Sequence, residues 1–174
     1  MRSAGSRKRP SNGRGPAVML KIGLVASAII VVLDQVTKWL IRETVLETIR
    51  RIEVTGFFNI VEVWNRGVSF GLLASDSAWT PHLLSALALA IATVLLFWLR
   101  KADNQLLALA LGIVIGGAVG NVIDRLIWGH VFDFLDFHIA GYHWPAFNFA
   151  DSAISVGVVL ILVDGFIAKR REQR

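Results

Sequence analysis

The sequence predicts an integral membrane protein, mainly α, in which four transmembrane helices carry a small extracytoplasmic β-sheet and loop region. Composition is the first observation behind that reading. The chain has 174 residues, of which 55% are hydrophobic and 18% charged, and its mean hydropathy is +0.59. That is too apolar for a soluble domain, and the length suits one compact unit. Four apolar runs are the second observation, at about 18–41, 81–99, 105–127 and 149–168. Each is near the roughly 20 residues that a hydrocarbon layer of about 30 Å requires. The third is a stretch rich in β-branched and aromatic residues inside the one long connection, residues 42–80.

Residues 1–16, rich in Arg, Gly, Ser and Pro, form a basic tail that is expected to be disordered. The first run follows it. Ala26-Ser27-Ala28 imitates a signal-peptide cleavage site, but the apolar run continues through Leu33 before meeting an acid, so the segment is read as a retained span. Ile52-Glu53-Val54-Thr55 and Phe58-Asn59-Ile60-Val61-Glu62-Val63-Trp64, separated by a glycine, predict two strands lying near the membrane surface. Thr80-Pro81 marks the start of the second span, with threonine as cap and proline at a first helical position. The third span follows a short turn, and residues 128–148 form the second extracytoplasmic loop. Asn148 is the expected N-cap of the fourth span, which places Asp151 in its first turn. One membrane domain, residues 17–169, and a basic tail, residues 170–174, complete the chain.

Lysine and arginine gather in the N-terminal tail, at Arg100-Lys101 and at Lys169-Arg170-Arg171, whereas the other two connections mix signs. The positive-inside tendency then puts both termini in the cytoplasm and the functional surface on the other face. Five of the six tryptophans (Trp39, Trp64, Trp79, Trp128 and Trp144) fall near predicted outer boundaries, and Trp98 marks the inner one. A formal charge of +5 invites a nucleic-acid reading, but the basic residues flank apolar spans, so no nucleic-acid partner is expected. The absence of cysteine excludes a disulfide framework, a thiol nucleophile and thiolate-bound haem or zinc. His82, His130, His138 and His143 show no ligand-like spacing, so neither a metal nor another cofactor is expected.

A carboxylate taken toward hydrocarbon costs roughly 2.5 to 3.5 kcal/mol on insertion scales, so each acid near a span asks for a reason. Asp34 and Lys38, four apart on the first span, share a helical face and read as a structural ion pair. Gly112, Gly116 and Gly120 form a small-residue packing stripe. Its continuation through Gly117, Asn121 and Arg125, with Asp124 alongside, places polar groups at the outer end of the third span. They suit holding a peptide carbonyl or orienting carboxylates; a snorkelling Arg125 paired with Asp124 is the plainer account. Asp133 and Asp136 interrupt an apolar run, where either one facing water or capping a turn would also serve. Capping and the helix dipole would by themselves account for Asp151. The plain accounts weaken for Asp133 and Asp151 together, because a short loop returns the chain between them to one membrane depth.

These segments resemble the lipoprotein signal peptidase family, also called signal peptidase II. Asp34-Gln35-Val36-Thr37-Lys38 resembles the family's D-Q-x-[ST]-K, Asn65-Arg66-Gly67-Val68-Ser69-Phe70 its N-x-G-x-[AS]-F, and Gly116 to Arg125 its G-G-A-x-G-N-x-x-D-R. Val131-Phe132-Asp133-Phe134 and Phe147-Asn148-Phe149-Ala150-Asp151-Ser152 resemble its two aspartate motifs. Any one is weak, but five in order are specific. Val68 and Phe132 depart from the more common alanine and valine, which touches only local packing.

The resemblance implies four spans with cytoplasmic termini in the bacterial inner membrane and a catalytic dyad of Asp133 and Asp151 near the extracytoplasmic face. Asn65, Gly117, Asn121, Arg125 and Asn148 would contact or position substrate, with Asp34, Lys38 and Asp124 as structural polar groups. It further implies a monomer in membrane lipid that cuts a diacylglyceryl-prolipoprotein before its lipidated cysteine. Coupled carboxyls would share one proton, with Asp151, in a first helical turn, favoured as the base. A proton- or cation-coupled transporter predicts inverted repeats, which the sequence lacks. A non-catalytic scaffold predicts scattered rather than converging polar residues. The Gly-x-Gly-Asp motif of another intramembrane protease type is absent. Asp164 fits none of these schemes and is expected to snorkel toward Lys169.

Overall fold

The computed structural model describes residues 15–67 and 79–173, with the side chains of residues 171 and 172 excepted. Expectations for residues 1–14 and for Val68, Ser69 and Phe70 lie outside the described residues. Among these, four helices are long and apolar enough to cross a membrane. Helix α1 spans Pro16–Leu40 and runs on through a π-helical turn, Ile41–Val45, four residues past the expected end of the first span. Helix α2 spans Thr80–Leu99, α3 Gln105–Trp128 and α4 Phe149–Glu172.

Local chemistry explains most helix ends. Pro16 opens α1 where its missing N–H is no loss. At α2 the cap is Trp79, not Thr80, and no side chain closes it. The Asn104 side chain accepts from the Leu107 N–H at 3.0 Å and starts α3. Gly129, at φ 72°, ends α3 in the left-handed conformation that glycine adopts without strain.

Helix α3 is the centre of the bundle, packing against α1, α2 and α4. Its glycines permit that. A Cβ on Gly112 would overlap the Gly23 backbone of α1, and one on Gly116 would fall 2.7 Å from the Ser27 carbonyl oxygen. On the α4 side a Cβ at Gly117 would meet the Ala150 carbonyl oxygen at 2.6 Å. Close backbone approach of this kind is how spans associate where lipid tails are as apolar as leucine. Met19, Leu99, Ala102, Leu107, Ala108 and Leu111 form the core at one end of the bundle. Leu24, Ile29, Leu83, Leu87, Val94, Val156, Leu162 and Phe166 are exposed on α1, α2 and α4, as lipid-facing side chains should be.

The opposite end carries a four-stranded antiparallel sheet, β1 (Arg51–Thr55), β2 (Phe58–Asn65), β3 (Val131–Ile139) and β4 (Tyr142–His143), in that spatial order. The hairpin read from the sequence is β1–β2, with Arg51 opposite Val61. Strand β3 lies in the segment read as a loop. Its alternation is masked because Asp133 and Asp136, three apart, point to opposite faces of a strand whose period is two. The pairing of β2 with β3 slips between Ile60 and Val63, so that Asn59 lies opposite Asp136 while Val63 lies opposite Asp133. Phe132 and Phe134 pack with Leu46 beneath the sheet, bordered by Ile41, Val45 and Trp64.

Two glycine substitutions test the packing. Gly112→Ala should lower the thermal midpoint of detergent-purified protein, since overpacking a tight contact costs about 1 to 3 kcal/mol. Gly165→Ala, where a Cβ meets nothing within 4 Å, should leave it unchanged or raise it. Equal effects would contradict the close approach of α1 to α3.

Candidate active site

Asn148 makes the site. As N-cap of α4 its side chain accepts from the Asp151 N–H at 3.0 Å, and the Asp151 carboxylate accepts from the Asn148 N–H at 3.2 Å, a reciprocal capping box. The same Asn148 amide donates through Nδ2 to Asp133 Oδ1 at 2.7 Å. One fully buried residue therefore touches both carboxyl groups, one on β3 and one on the first turn of α4.

Each carboxylate has a second amide. Asn65, ending β2, donates through Nδ2 to Asp133 Oδ2 at 3.0 Å. Its own Oδ1 accepts from the Gly67 N–H at 2.9 Å, a local turn that aims the amide. Arg125 anchors this turn by donating to the Gly67 carbonyl at 3.1 Å, and donates also to the Asn121 carbonyl at 3.3 Å. Asn121, on α3, donates through Nδ2 to Asp151 Oδ1 at 2.8 Å, while its Oδ1 accepts from Asn148 at 3.1 Å. The guanidinium of Arg125 lies within electrostatic reach of Asp151, Asp133 and Asp124.

Behind this layer sits a buried charge cluster. Lys38 contacts Asp34 at 2.8 Å and Asp124 at 2.9 Å, and donates to Asn121 Oδ1 at 3.3 Å. Gln35 bonds Asp34 at 3.1 Å, Asp124 at 3.0 Å and the Gly120 carbonyl at 3.3 Å. Buried charge is tolerable when paired and fully hydrogen-bonded, and removing one partner typically costs about 3 to 5 kcal/mol.

Burial pushes the Asp133 carboxyl up from 3.8, and the nearby negative charge of Asp151 pushes it further, to about 7, against the hydrogen bonds from Asn65 and Asn148 and the charge of Lys38. Asp133 is only 1% exposed. Asp136, on the other face of β3, goes the opposite way. Burial raises its carboxyl, but hydrogen bonds from Asn59 at 2.6 Å and His143 at 2.8 Å, with the nearby histidine charge, outweigh it and hold the group below the usual range.

The structure thus brings Asn65, Asn121, Arg125, Asp133, Asn148 and Asp151 together, with Asp34, Lys38 and Asp124 directly behind them. Gly117 lies at the contact of α3 with α4. Two sequence readings need correction. Asp124 pairs with Lys38 rather than Arg125, because Arg125 turns to the Gly67 carbonyl. Asp164 does not snorkel; it is buried and accepts from Asn104 Nδ2 at 2.9 Å, tying α4 to the start of α3. Gln35 was not singled out, although its place between two charges in Asp34-Gln35-Val36-Thr37-Lys38 was a usable signal. Nor was the Asn59–Asp136–His143 group, for which a polar residue in mid-strand was the only cue.

A sequence profile described as Signal peptidase (SPase) II matches residues 26–167. The chain belongs to the signal peptidase II family. It is similar to the lipoprotein signal peptidase of Ralstonia nicotianae, 43% identical over 171 residues, covering 98% of this chain and 95% of that protein. That of a Janthinobacterium species is 45% identical over 139 residues, covering 79% and 84%. Two solved structures titled as bacterial membrane enzymes superpose with TM-scores of 0.74 and 0.69, at 30% and 32% identity, covering 88% and 83% of this chain and 92% of each of theirs. Family membership makes the chain a membrane-embedded peptidase of the aspartic type.

The electrostatics of Asp133 can be read directly. Infrared difference spectra should show its protonated carbonyl band disappearing near pH 7. In Asp151→Asn the band should vanish at lower pH, because the neighbouring negative charge is gone. An unchanged titration would mean that the two carboxyls do not sense each other.

Proposed function

We propose that Asp133 and Asp151 form a catalytic dyad that removes the signal peptide from diacylglyceryl-modified prolipoproteins, cutting before the lipidated cysteine. The observation that carries this reading is the double contact of Asn148, through its amide to Asp133 and through its backbone N–H to Asp151. Two carboxyls held by one residue cannot both ionise easily, and burial leaves Asp133 as the protonated member near neutral pH. Asp151 then takes a proton from a water molecule, and that water attacks the scissile carbonyl. Asp133 hydrogen-bonds the carbonyl oxygen and gives it a proton as negative charge develops there; the C–N bond then breaks as Asp151 passes its proton to the leaving nitrogen and Asp133 takes one back from the tetrahedral intermediate.

Asn65, Asn121 and Asn148 keep the carboxyls oriented, and Arg125 offers a cation beside the substrate path. Gly117 lets α4 approach closely enough for Asp151 to reach Asn121. Two carboxyls and water suffice for this chemistry, so no cofactor is assigned. The sheet end of the bundle is taken as extracytoplasmic and both termini as cytoplasmic, on the strength of the basic residues at Arg100, Lys101, Lys169 and Arg170 at the other end. A site at that depth in the bacterial inner membrane receives an acyl-anchored segment that never leaves the bilayer. A single chain supplies every residue of the site, which fits a monomer working in membrane lipid.

The test is cleavage of matched lipidated and unlipidated prolipoprotein peptides by detergent-purified protein. Only the lipidated peptide should be cut, and Asp133→Asn and Asp151→Asn should each lower kcat by at least about a thousandfold, on the scale seen when an acid–base group is removed. The rate should fall as pH rises through about 7, where Asp133 loses the proton it must donate. Folded dyad variants that still cleave would exclude the mechanism.

A further inference from the structure

The charges behind the dyad end on two backbone amides, each one residue before one of its carboxyls. Asp34 Oδ1 accepts from the Ala150 N–H at 2.9 Å, and Ala150 immediately precedes Asp151. Asp124 Oδ2 accepts from the Phe132 N–H at 3.1 Å, and Phe132 immediately precedes Asp133. Lys38 joins the two acids, at 2.8 Å and 2.9 Å. Neutralising a buried lysine needs carboxylates close to it, but it does not need their oxygens to fall on these two amides.

Resting on the dyad reading above, we infer that Asp34, Lys38 and Asp124 act as a caliper that sets the gap between the two catalytic carboxyls. They are positioning residues, since none of them need touch substrate. Helix geometry explains why the α4 arm is needed. The first N–H groups of a helix have no partner within it. Asn148 covers that of Asp151, and Asp34 covers that of Ala150, so the helix start is pinned from two directions. A carboxylate at that end also sits favourably on the helix dipole. The β3 arm pins the strand directly before Asp133. Gly120 makes room for the joint, since a Cβ there would lie 2.5 Å from Asp34 Oδ2.

A caliper responds to length, whereas an ion pair responds to charge. Asp124→Glu keeps the charge but adds a methylene, displacing the carboxylate by about 1.5 Å. Asp124→Asn keeps the reach: its oxygen can still accept from Lys38 and the Phe132 N–H, and Lys38 keeps Asp34 as its counter-charge, at the loss of the bond from Gln35, whose amide stays on Asp34 and the Gly120 carbonyl. With the lipidated peptide, Asp124→Glu should lower kcat by about a hundredfold, as misplacement by 1 Å can, with KM nearly unchanged. Its bell-shaped pH profile should narrow, because coupling between two carboxyls weakens as they separate. Asp34→Glu should do the same from the α4 side. Asp124→Asn should lose less than Asp124→Glu and keep the width of the profile.

Tryptophan fluorescence melts confirm folding of each variant. If a glutamate variant does not survive purification, the other one and Asp124→Asn carry the test. The inference is overturned by glutamate variants whose kcat stays near wild type, by a reduced kcat with unchanged profile width, or by Asp124→Asn losing more than Asp124→Glu. Asp133→Asn and Asp151→Asn run alongside keep the two readings apart. If they still cleave, the dyad itself is wrong; if they are dead and the glutamate variants behave as wild type, only the caliper fails.

Discussion

The backbone of α3 must come into van der Waals contact with α1 and α4, and most of the polar architecture depends on that closeness. Gly112 and Gly116 bring α1 in, Gly117 brings α4 in, and Gly120 leaves space for the Asp34 carboxylate. Side chains as short as aspartate and asparagine can then bridge three helices directly. Lys38 on α1 reaches Asp124 and Asn121 on α3, and Asn121 reaches Asp151 on α4. With larger residues at these glycines the helix axes would move apart, and the charges would face each other across gaps that apolar atoms could not fill without penalty.

The polar groups are consistent with one another to a degree that limits their alternatives. Asn148 uses its oxygen on the Asp151 N–H and its nitrogen on Asp133 and Asn121, which fixes which way its amide points. That choice in turn requires the Asn121 oxygen to face Asn148 and Lys38, and so aims the Asn121 nitrogen at Asp151. In surroundings from which water is excluded such chains strengthen mutually, and a single unsatisfied member is costly. Asp133 therefore sits among donors that suit an ionised carboxylate, while its burial opposes ionisation. Asp133 is enclosed, whereas Asp151 is partly open.

The four spans were legible because their signal is one of length and hydropathy, and α1, α2, α3 and α4 begin within about two residues of the expected positions. The asparagine cap before Asp151 was legible too, being a local rule. Strand β3 was not, since two acids three residues apart break an alternation that the backbone nevertheless keeps. Pairings that cross between elements were the least legible. Nothing within the third span indicates that Asp124 meets Lys38 while its neighbour Arg125 reaches Gly67, because that choice is made by how α1 and the end of β2 are placed around α3. The resemblance to a known family supplied the grouping of residues, but not the bonds that join them.

Asp133 and Asp136 show how one strand can put the same side chain to opposite uses. Both are buried, both lie on β3, and both accept a hydrogen bond from an asparagine on β2. Asp133 turns toward another carboxylate, so its charge is disfavoured twice, by loss of water and by repulsion. Asp136 turns toward His143, close to His138, and there a smaller loss of water is outweighed by partners that favour its charge. The period of the strand enforces the division, because residues three apart cannot share a face. A carboxyl still protonated near neutral pH, which the proposed mechanism uses to polarise the scissile carbonyl, thus arises three residues from one that stays charged and braces the sheet.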